Sequence, residues 1–403
     1  MGLIGKISKE KAMYYIPVVV CLAAILLLLW LPTGFEDAVN YKETSRCAAR
    51  VLAVDNTRII SSGLIQTGEQ TCTLEFLEGR FKGQTADGTN MLNGSLEQDK
   101  IFQPGDKAMV LIHYSADEIL SVSMVDHYRL HLELILAAVF VVFLVLVAGK
   151  TGVRAVLSFI LTVLLLWKIL VPLYLKGFDP IFCGILITLL LSALILALVY
   201  GFDRKWAAAF AGAGTGILVT CVLGILFTEL FKIHGAIMPN SESLLYSGYQ
   251  HLNLTRIFMA SIFIGASGAV MDLAVDITSS VNEVVEKKPD ISVKEAIRSG
   301  MNVGRATMGT MTTTLLLAYS GGYVALLMVF MAQGTPIYNI LNYKYVAAEI
   351  AETIVGSFGL VSVAPLTALA SGVLLAGKKK PQAALQAAEA EPAEMKAAAP
   401  DEI

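Results

Sequence analysis

Long apolar runs separated by short polar connections fill most of this chain. Eight stand out, near residues 13–32, 131–149, 153–175, 180–201, 206–231, 256–280, 301–331 and 346–376. A bilayer core of about 30 Å is crossed by roughly 20 apolar residues in a helix. Each run therefore predicts one crossing, and the longer ones tilt or extend into water at one end. One stretch breaks the pattern. Residues 34–130 are hydrophilic, and their period-two alternation predicts strands at Ala48–Val54, Ile59–Ile65, Gln70–Leu77, Ala108–His113 and Ile119–Asp126. Gly88, Asn90 and Gly94 punctuate the remainder, and Gln103-Pro104-Gly105-Asp106 is a turn into the strand that follows.

Five short strands in so few residues predict a small barrel of the OB type, a fold that assigns no ligand by itself. The expected fold class is an α-helical integral membrane protein. It has about eight transmembrane helices and a small all-β, OB-like extracytoplasmic domain between helices 1 and 2. Four domains are expected: 1–33, a signal-anchor helix; 34–130, the β-rich domain; 131–377, a seven-helix membrane domain; and 378–403, a disordered cytoplasmic tail rich in Ala, Glu and Pro. A cleaved signal peptide is the alternative for the first run. Against it, the apolar stretch exceeds a usual h-region, and Leu31-Pro32-Thr33-Gly34-Phe35 offers no A-x-A-like site.

Composition narrows the picture. Of 403 residues, 56% are hydrophobic and 16% charged, and mean hydropathy is +0.67, whereas soluble domains carry roughly 25% charge. A soluble enzyme, a disordered chain and a fibrous repeat are excluded. A net charge of −3 leaves no basic face for nucleic acid. Lysine and arginine cluster at Lys6, Lys9 and Lys11; at Lys150 and Arg154; at Arg204 and Lys205; at Lys287, Lys288, Lys294 and Arg298; and at Lys378, Lys379 and Lys380. With eight spans these all lie on one side. The positive-inside bias then places both termini in the cytoplasm and 34–130 outside, with Lys176 and Lys232 as local exceptions. Cys47 and Cys72 of the external domain either pair on the oxidising side or remain two buried thiols. Asn93-Gly-Ser and Asn253-Leu-Thr match glycosylation sequons, which matter only in a eukaryotic secretory chain.

Ionisable groups inside a span are costly and are functional candidates by default. Asp272 and Asp276 are four apart in the sixth run, so they stack on one helical face. Gly265, Gly268, Ala269, Ser279, Ser280 and Glu283 fall on or beside that face. At 1.5 Å per residue, Asp272 should sit roughly 12 Å inside the cytoplasmic boundary and Asp276 about one turn shallower. In the seventh run Asn302, Arg305, Gly309 and Thr312 or Thr313 share a face, with Arg305 near the depth of Asp276. The short connection makes the two helices neighbours, so an Asp276–Arg305 or Asp272–Arg305 pair is geometrically open. Three readings stand. In a proton or cation relay, Asp272 titrates and Arg305 tunes it. In a static salt bridge, the threonines simply bond backbone carbonyls. In the third, Asp276 and Arg305 reach interfacial water. Two aspartates on one helix, with no Gly-x-Gly-Asp motif, do not make the facing pair of an intramembrane aspartyl protease.

Gly212 and Gly216 form a GxxxG pair for close helix contact, and Gly265, Gly268 and Gly309 are further packing candidates. Glu349 and Glu352 lie near the outer end of the eighth run, facing a vestibule or bulk water, and Pro365 should kink that helix. His113, His127, His131, His234 and His251 show no metal-ligand spacing. Walker A, zinc and Gly-x-Ser-x-Gly signatures are missing. No metal, cofactor or catalytic set is expected, and the chain is not read as an enzyme.

The stretches Gly268-Ala-Val-Met-Asp272-Leu-Ala-Val-Asp276-Ile-Thr-Ser-Ser, Ser299-Gly-Met-Asn302-Val-Gly304-Arg305, Met308-Gly309-Thr310-Met311 and Leu317-Ala-Tyr319-Ser-Gly-Gly resemble the YibE/F family of bacterial membrane proteins. Gly79-Arg-Phe-Lys-Gly83 and Gly105-Asp106-Lys107 fit as well, so the resemblance covers most of 45–375. It departs at Thr312-Thr313, where the family pattern leads one to expect Asn. The resemblance implies a multi-pass protein of the bacterial cell membrane rather than a particular activity. The layout is also similar, more loosely, to half of an RND or SecDF-type proton-driven transporter. That likeness implies a symmetric homodimer.

Two functions follow as expectations. One is a membrane transporter or exporter, proton-coupled through Asp272, Asp276 and Arg305 with Asn302, Thr312 and Thr313 around them. The other is a non-transporting scaffold or assembly factor whose external domain binds an envelope protein or polymer. The expected partners are the lipid bilayer, a second copy of the chain and that envelope component, with no nucleic acid.

Overall fold

The structure, a computed structural model, describes residues 2–36, 44–116 and 118–376, with backbone alone for residues 2–14. The expectations for residues 378–403 lie outside the described residues. The chain divides into two compact units, Gly34–Gly152 and the remainder.

In the first unit β1 (Thr44–Ser62), β2 (Ile65–Phe76), β3 (Thr85–Asn93), β4 (Lys107–Ser115) and β5 (Glu118–His127) form a closed barrel in the order β1-β2-β3-β5-β4. β1 pairs antiparallel with both β2 and β4, and β3 meets β5 in parallel at Thr89 and Ser123. Two expectations change. The separate strands at Ala48–Val54 and Ile59–Ile65 are one strand, irregular between Val51 and Ala53 and between Asp55 and Arg58. Bulges of this kind bend a strand so that it can turn round a barrel. β3 is an addition, because Gly88 and Asn90 are core positions rather than punctuation. The Leu74 side chain fills the space that a Cβ on Gly88 would need. Asn90 is buried and donates to Gln70 Oε1 (3.1 Å) and to the Lys100 carbonyl (2.6 Å).

Cys47 and Cys72 are free and buried. Register places Cys72 opposite Val54, seven residues along β1 from Cys47. At about 3.3 Å per residue that is roughly 23 Å measured along the bent strand, and the two thiols are not joined. Burial pushes both thiols up to about 11, with the Glu78 carboxylate adding to the effect at Cys47.

The helices are α1 (Gly2–Trp30), α2 (Leu130–Leu165), α3 (Val171–Leu175), α4 (Pro180–Tyr200), α5 (Arg204–Leu230), α6 (Ser241–Tyr246), α7 (Leu254–Lys287), α8 (Val293–Ser320), α9 (Val324–Ala332), α10 (Ile337–Asn342) and α11 (Lys344–Leu375). Among the described residues, six helical stretches are long and apolar enough to cross a membrane: Leu130–Leu175, Pro180–Tyr200, Arg204–Leu230, Leu254–Lys287, Val293–Ala332 and Lys344–Leu375. The sequence predicts eight. The runs at 131–149 and 153–175 join into one stretch, interrupted by non-helical geometry at Gly149 (φ 56°, ψ −127°) instead of a loop. The apolar part of α1 with described side chains, Tyr15–Trp30, falls short of the other six. α11 continues on both sides of Pro365 as a single helix.

Small residues set how the helices cross, because they let backbones approach closely. Thr367 occupies the place of a Cβ on Gly212, Val363 that on Gly216, and Thr220 that on Gly359. These contacts run α5 antiparallel to α11. Gly300 faces Val281 and Ile277, and Gly304 faces Ile277 and Ala364, so α8 runs antiparallel to both α7 and α11. Thr278 Oγ1 and Ser371 Oγ share a hydrogen bond of 3.1 Å between the parallel pair α7 and α11. Of the other glycines expected at contacts, Gly265 lies beneath the Tyr319 hydroxyl, whereas Gly268 and Gly309 face open space.

Candidate functional site

The candidate residues sit on α7 and α8, and local chemistry explains both helices. Asn253 caps α7 by accepting from the Arg256 amide at 3.0 Å. Ser292 and Glu295 form a reciprocal capping box at the start of α8, satisfying amides that the first turn leaves free. Between the caps, α7 buries Phe258, Ile262, Phe263, Ala266, Val270, Leu273, Ala274, Ile277 and Val281. Its other side carries Gly265, Gly268, Asp272, Asp276, Ser279 and Glu283, all exposed on the single chain and spaced by three or four residues. They form one continuous polar stripe along the helix.

On α8, Asn302, Arg305, Gly309 and Thr313 are likewise exposed, and Thr312 is half-buried. No ion pair among the described residues joins Arg305 to Asp272 or Asp276. The geometry explains this. α8 meets α7 through Gly300 and Gly304, and Arg305, the next position round the helix, turns to the open side. The threonines serve their own helix. Thr312 donates to the Met308 and Gly309 carbonyls, and Thr313 donates to Gly309 at 3.2 Å. At the end of the stripe, Glu283 is paired with Lys287 at 2.6 Å.

Two neighbours of this region escape a reading by residue type. Tyr200, the last residue of α4, donates to the Val275 carbonyl (2.8 Å) and shares a hydrogen bond with Ser279 Oγ (2.7 Å), which ties α4 to the stripe. Ser261 Oγ donates to Glu352 Oε1 at 3.4 Å, so Glu352 lies between α7 and α11 rather than in open water. A terminal tyrosine or a lone serine in an apolar run gives no signal of either contact. Only the helix register does.

A bundle of membrane-length apolar helices with carboxylates part-way along one of them defines a multi-helix protein of the membrane type. The chain belongs to the YibE/F-like protein family, whose model matches residues 136–377. The match includes α7 and α8 and begins after the barrel, so Gly79–Gly83 and Gly105–Lys107 lie outside it. No curated protein and no solved structure matches the chain.

Proposed function

We propose that this protein is a secondary transporter of the bacterial cytoplasmic membrane, in which Asp272, with Asp276 one turn away, carries a proton during substrate movement. One observation carries the reading: two carboxylates in the apolar helix Leu254–Lys287 have no basic partner within ion-pair distance among the described residues. An unpaired carboxylate is costly in hydrocarbon and is tolerated where it faces a water-filled path and exchanges a proton. Arg305, open on the neighbouring helix, is the group that would tune the exchange.

The reading includes eight crossings, cytoplasmic termini and an extracytoplasmic OB-type barrel. As one helix, Leu130–Leu175 would be about 69 Å long, against a core of about 30 Å. Gly149 divides it into two lengths that each suffice for one crossing, and α1 supplies the eighth. A second copy of the chain covers the polar stripe. The test is proton flux into proteoliposomes holding the purified protein under an imposed pH gradient. Wild-type flux should vanish in Asp272→Asn at equal reconstitution. Equal flux in that variant would refute the relay.

A second reading has its own support, the apolar tip of the β1–β2 hairpin. There Ile60 is 70% and Leu64 85% exposed, large side chains suited to a protein partner. It predicts that Leu64→Asp abolishes capture of an envelope component by the intact protein from membranes while leaving proton flux unchanged. Capture undiminished by Leu64→Asp would refute it.

A further inference from the structure

A second polar cluster lies nearer the N-terminal end of α7, where α7, α8 and α11 converge, and none of the residues discussed above as a relay belongs to it. Its members are found by register. Down the antiparallel pair α8 and α11, Gly372 meets Ile297, Ala364 meets Gly304, and Gly356 meets Leu315. The next turn brings Tyr319 level with Glu352 and Thr353. On α7, Ala266 touches Gly356, and one turn further Ser261 meets Glu352 at 3.4 Å. Gly265 lacks the Cβ whose place the Tyr319 hydroxyl takes, so this hydroxyl lies about one helical turn from Ser261 along α7. Glu349, Glu352, Thr353 and Gly356 lie at helical spacing on the face of α11 turned to that junction.

Three oxygens of the cluster lack partners, while Ser261 Oγ is shared between the Phe258 carbonyl (2.8 Å) and Glu352 (3.4 Å). Tyr319 Oη, Glu349 Oε1 and Thr353 Oγ1 are each buried with no hydrogen bond. Thr353 as a residue is only 7% exposed. Tyr319 also lies within electrostatic reach of both carboxylates. Neither glutamate has an ion-pair partner among the described residues. Of the nearby basic residues, Arg256 pairs with Asp179 at 2.5 Å and Lys344 lies over the Tyr345 ring. Buried polar groups are ordinarily satisfied, and unsatisfied ones cost about 1–3 kcal/mol each. Two carboxylates, one with an orphaned oxygen, beside two orphaned hydroxyls therefore mark a place where something positive is held.

We propose that Glu349 and Glu352, with the hydroxyls of Ser261, Tyr319 and Thr353, bind a hard metal cation of the alkali or alkaline-earth class. Every available ligand is a carboxylate or hydroxyl oxygen, the donor type such ions prefer, with no nitrogen or sulfur to favour a transition metal. Ser261 and Tyr319 come from different helices than the glutamates, so an ion here joins α7, α8 and α11.

The test uses the full chain in detergent and a binding readout, so it is independent of the transport reading. A hydrophobic carbodiimide modifies buried carboxyls, and peptide mass mapping reports the extent at Glu352 and Glu349. Labelling is measured in choline chloride, in sodium chloride and in calcium chloride at matched ionic strength. At about ten times the dissociation constant, a bound ion should reduce labelling about tenfold. Protection by sodium or by calcium over choline supports the site and identifies the ion class. Tyr319→Phe and Ser261→Ala, which alter little volume, should each shift half-protection to higher salt. Labelling unchanged by either salt, or half-protection unmoved in both variants, would overturn the proposal.

Discussion

Gln70 is the residue on which the barrel's interior turns. It is fully buried. Its Nε2 donates to Asn56 Oδ1 and to the Phe102 carbonyl, both at 2.9 Å, and its Oε1 accepts from the Phe102 amide at 3.0 Å and from Asn90 at 3.1 Å. One amide thereby satisfies both backbone groups of Phe102 as the chain passes from β3 towards β4. Gln70→Leu keeps the bulk and removes all four bonds. Asn90 retains the Lys100 carbonyl and Asn56 is exposed, so the loss falls on the Phe102 N–H and C=O. Two buried groups stranded at about 1–3 kcal/mol each give roughly 2–6 kcal/mol, against a domain total of about 5–15 kcal/mol. The barrel should still fold but open far more often. Cys72, two residues along β2 and 0% exposed, reports the opening. When reclosing outpaces modification, its labelling rate tracks the open population. At about 1.4 kcal/mol per decade, labelling in the intact protein should accelerate by about 30-fold at the low end and about 20,000-fold at the high end. A rate equal to that of the wild type would show that the network does not hold the barrel closed.

Gly212→Val should lower the melting temperature, because Thr367, backbone included, already occupies the space. Overpacking of this kind costs about 1–3 kcal/mol. Gly268→Ala, with nothing within 4 Å, should leave the same thermal scan unchanged. In the barrel, the Asn93, Ser95 and Gly94 amides hold the Asp99 carboxyl below its usual range, and a hydrogen bond from Arg129 does the same for Asp126. A depressed folded value contributes stability above the unfolded value of about 3.9 and loses it as pH falls through the folded one. Hydrogen exchange in β3 should therefore accelerate below about pH 4, and Asp99→Asn should flatten that acid limb; an unaltered limb would refute the assignment.

Much of this architecture is legible in the sequence. Apolar length alone marks α4, α5, α7, α8 and α11, because burying or embedding such runs needs no knowledge of neighbours. Alternation found four-fifths of the barrel but missed β3, whose inward positions Gly88 and Asn90 are polar or small for reasons supplied by Leu74 and Gln70 on another strand. Helical spacing correctly grouped Asp272 with Asp276, and Asn302 with Arg305. It says nothing of how two helices are rotated against each other. That rotation, set by Gly300 and Gly304, separates the aspartates from Arg305. The same limit hid Ser261 and Tyr319, which acquire meaning only once Gly265 and Gly356 let three helices meet.

The two acidic sites share α7, and the packing around that helix constrains how they could communicate. α7 is held by α4, α5, α8 and α11, and its apolar window is 50% buried, whereas the window of Val293–Ala332 is 11% buried. Beyond Gly304 the only buried residue of α8 is Leu315. Asp272 and Asp276 thus ride on a fixed element, at a depth set by side chains that have no room to shift. The outward half of α8 is held far more loosely, and Tyr319 is its polar contact with the Glu352 junction. An ion that recruits the Tyr319 hydroxyl adds a bond between this loose segment and the fixed pair α7 and α11. Its departure removes that bond without disturbing the glycine contacts at Gly300 and Gly304. If both proposed sites operate, this packing predicts that coupling between them runs through the position of α8, on which Arg305 is carried, and not through any displacement of the aspartates.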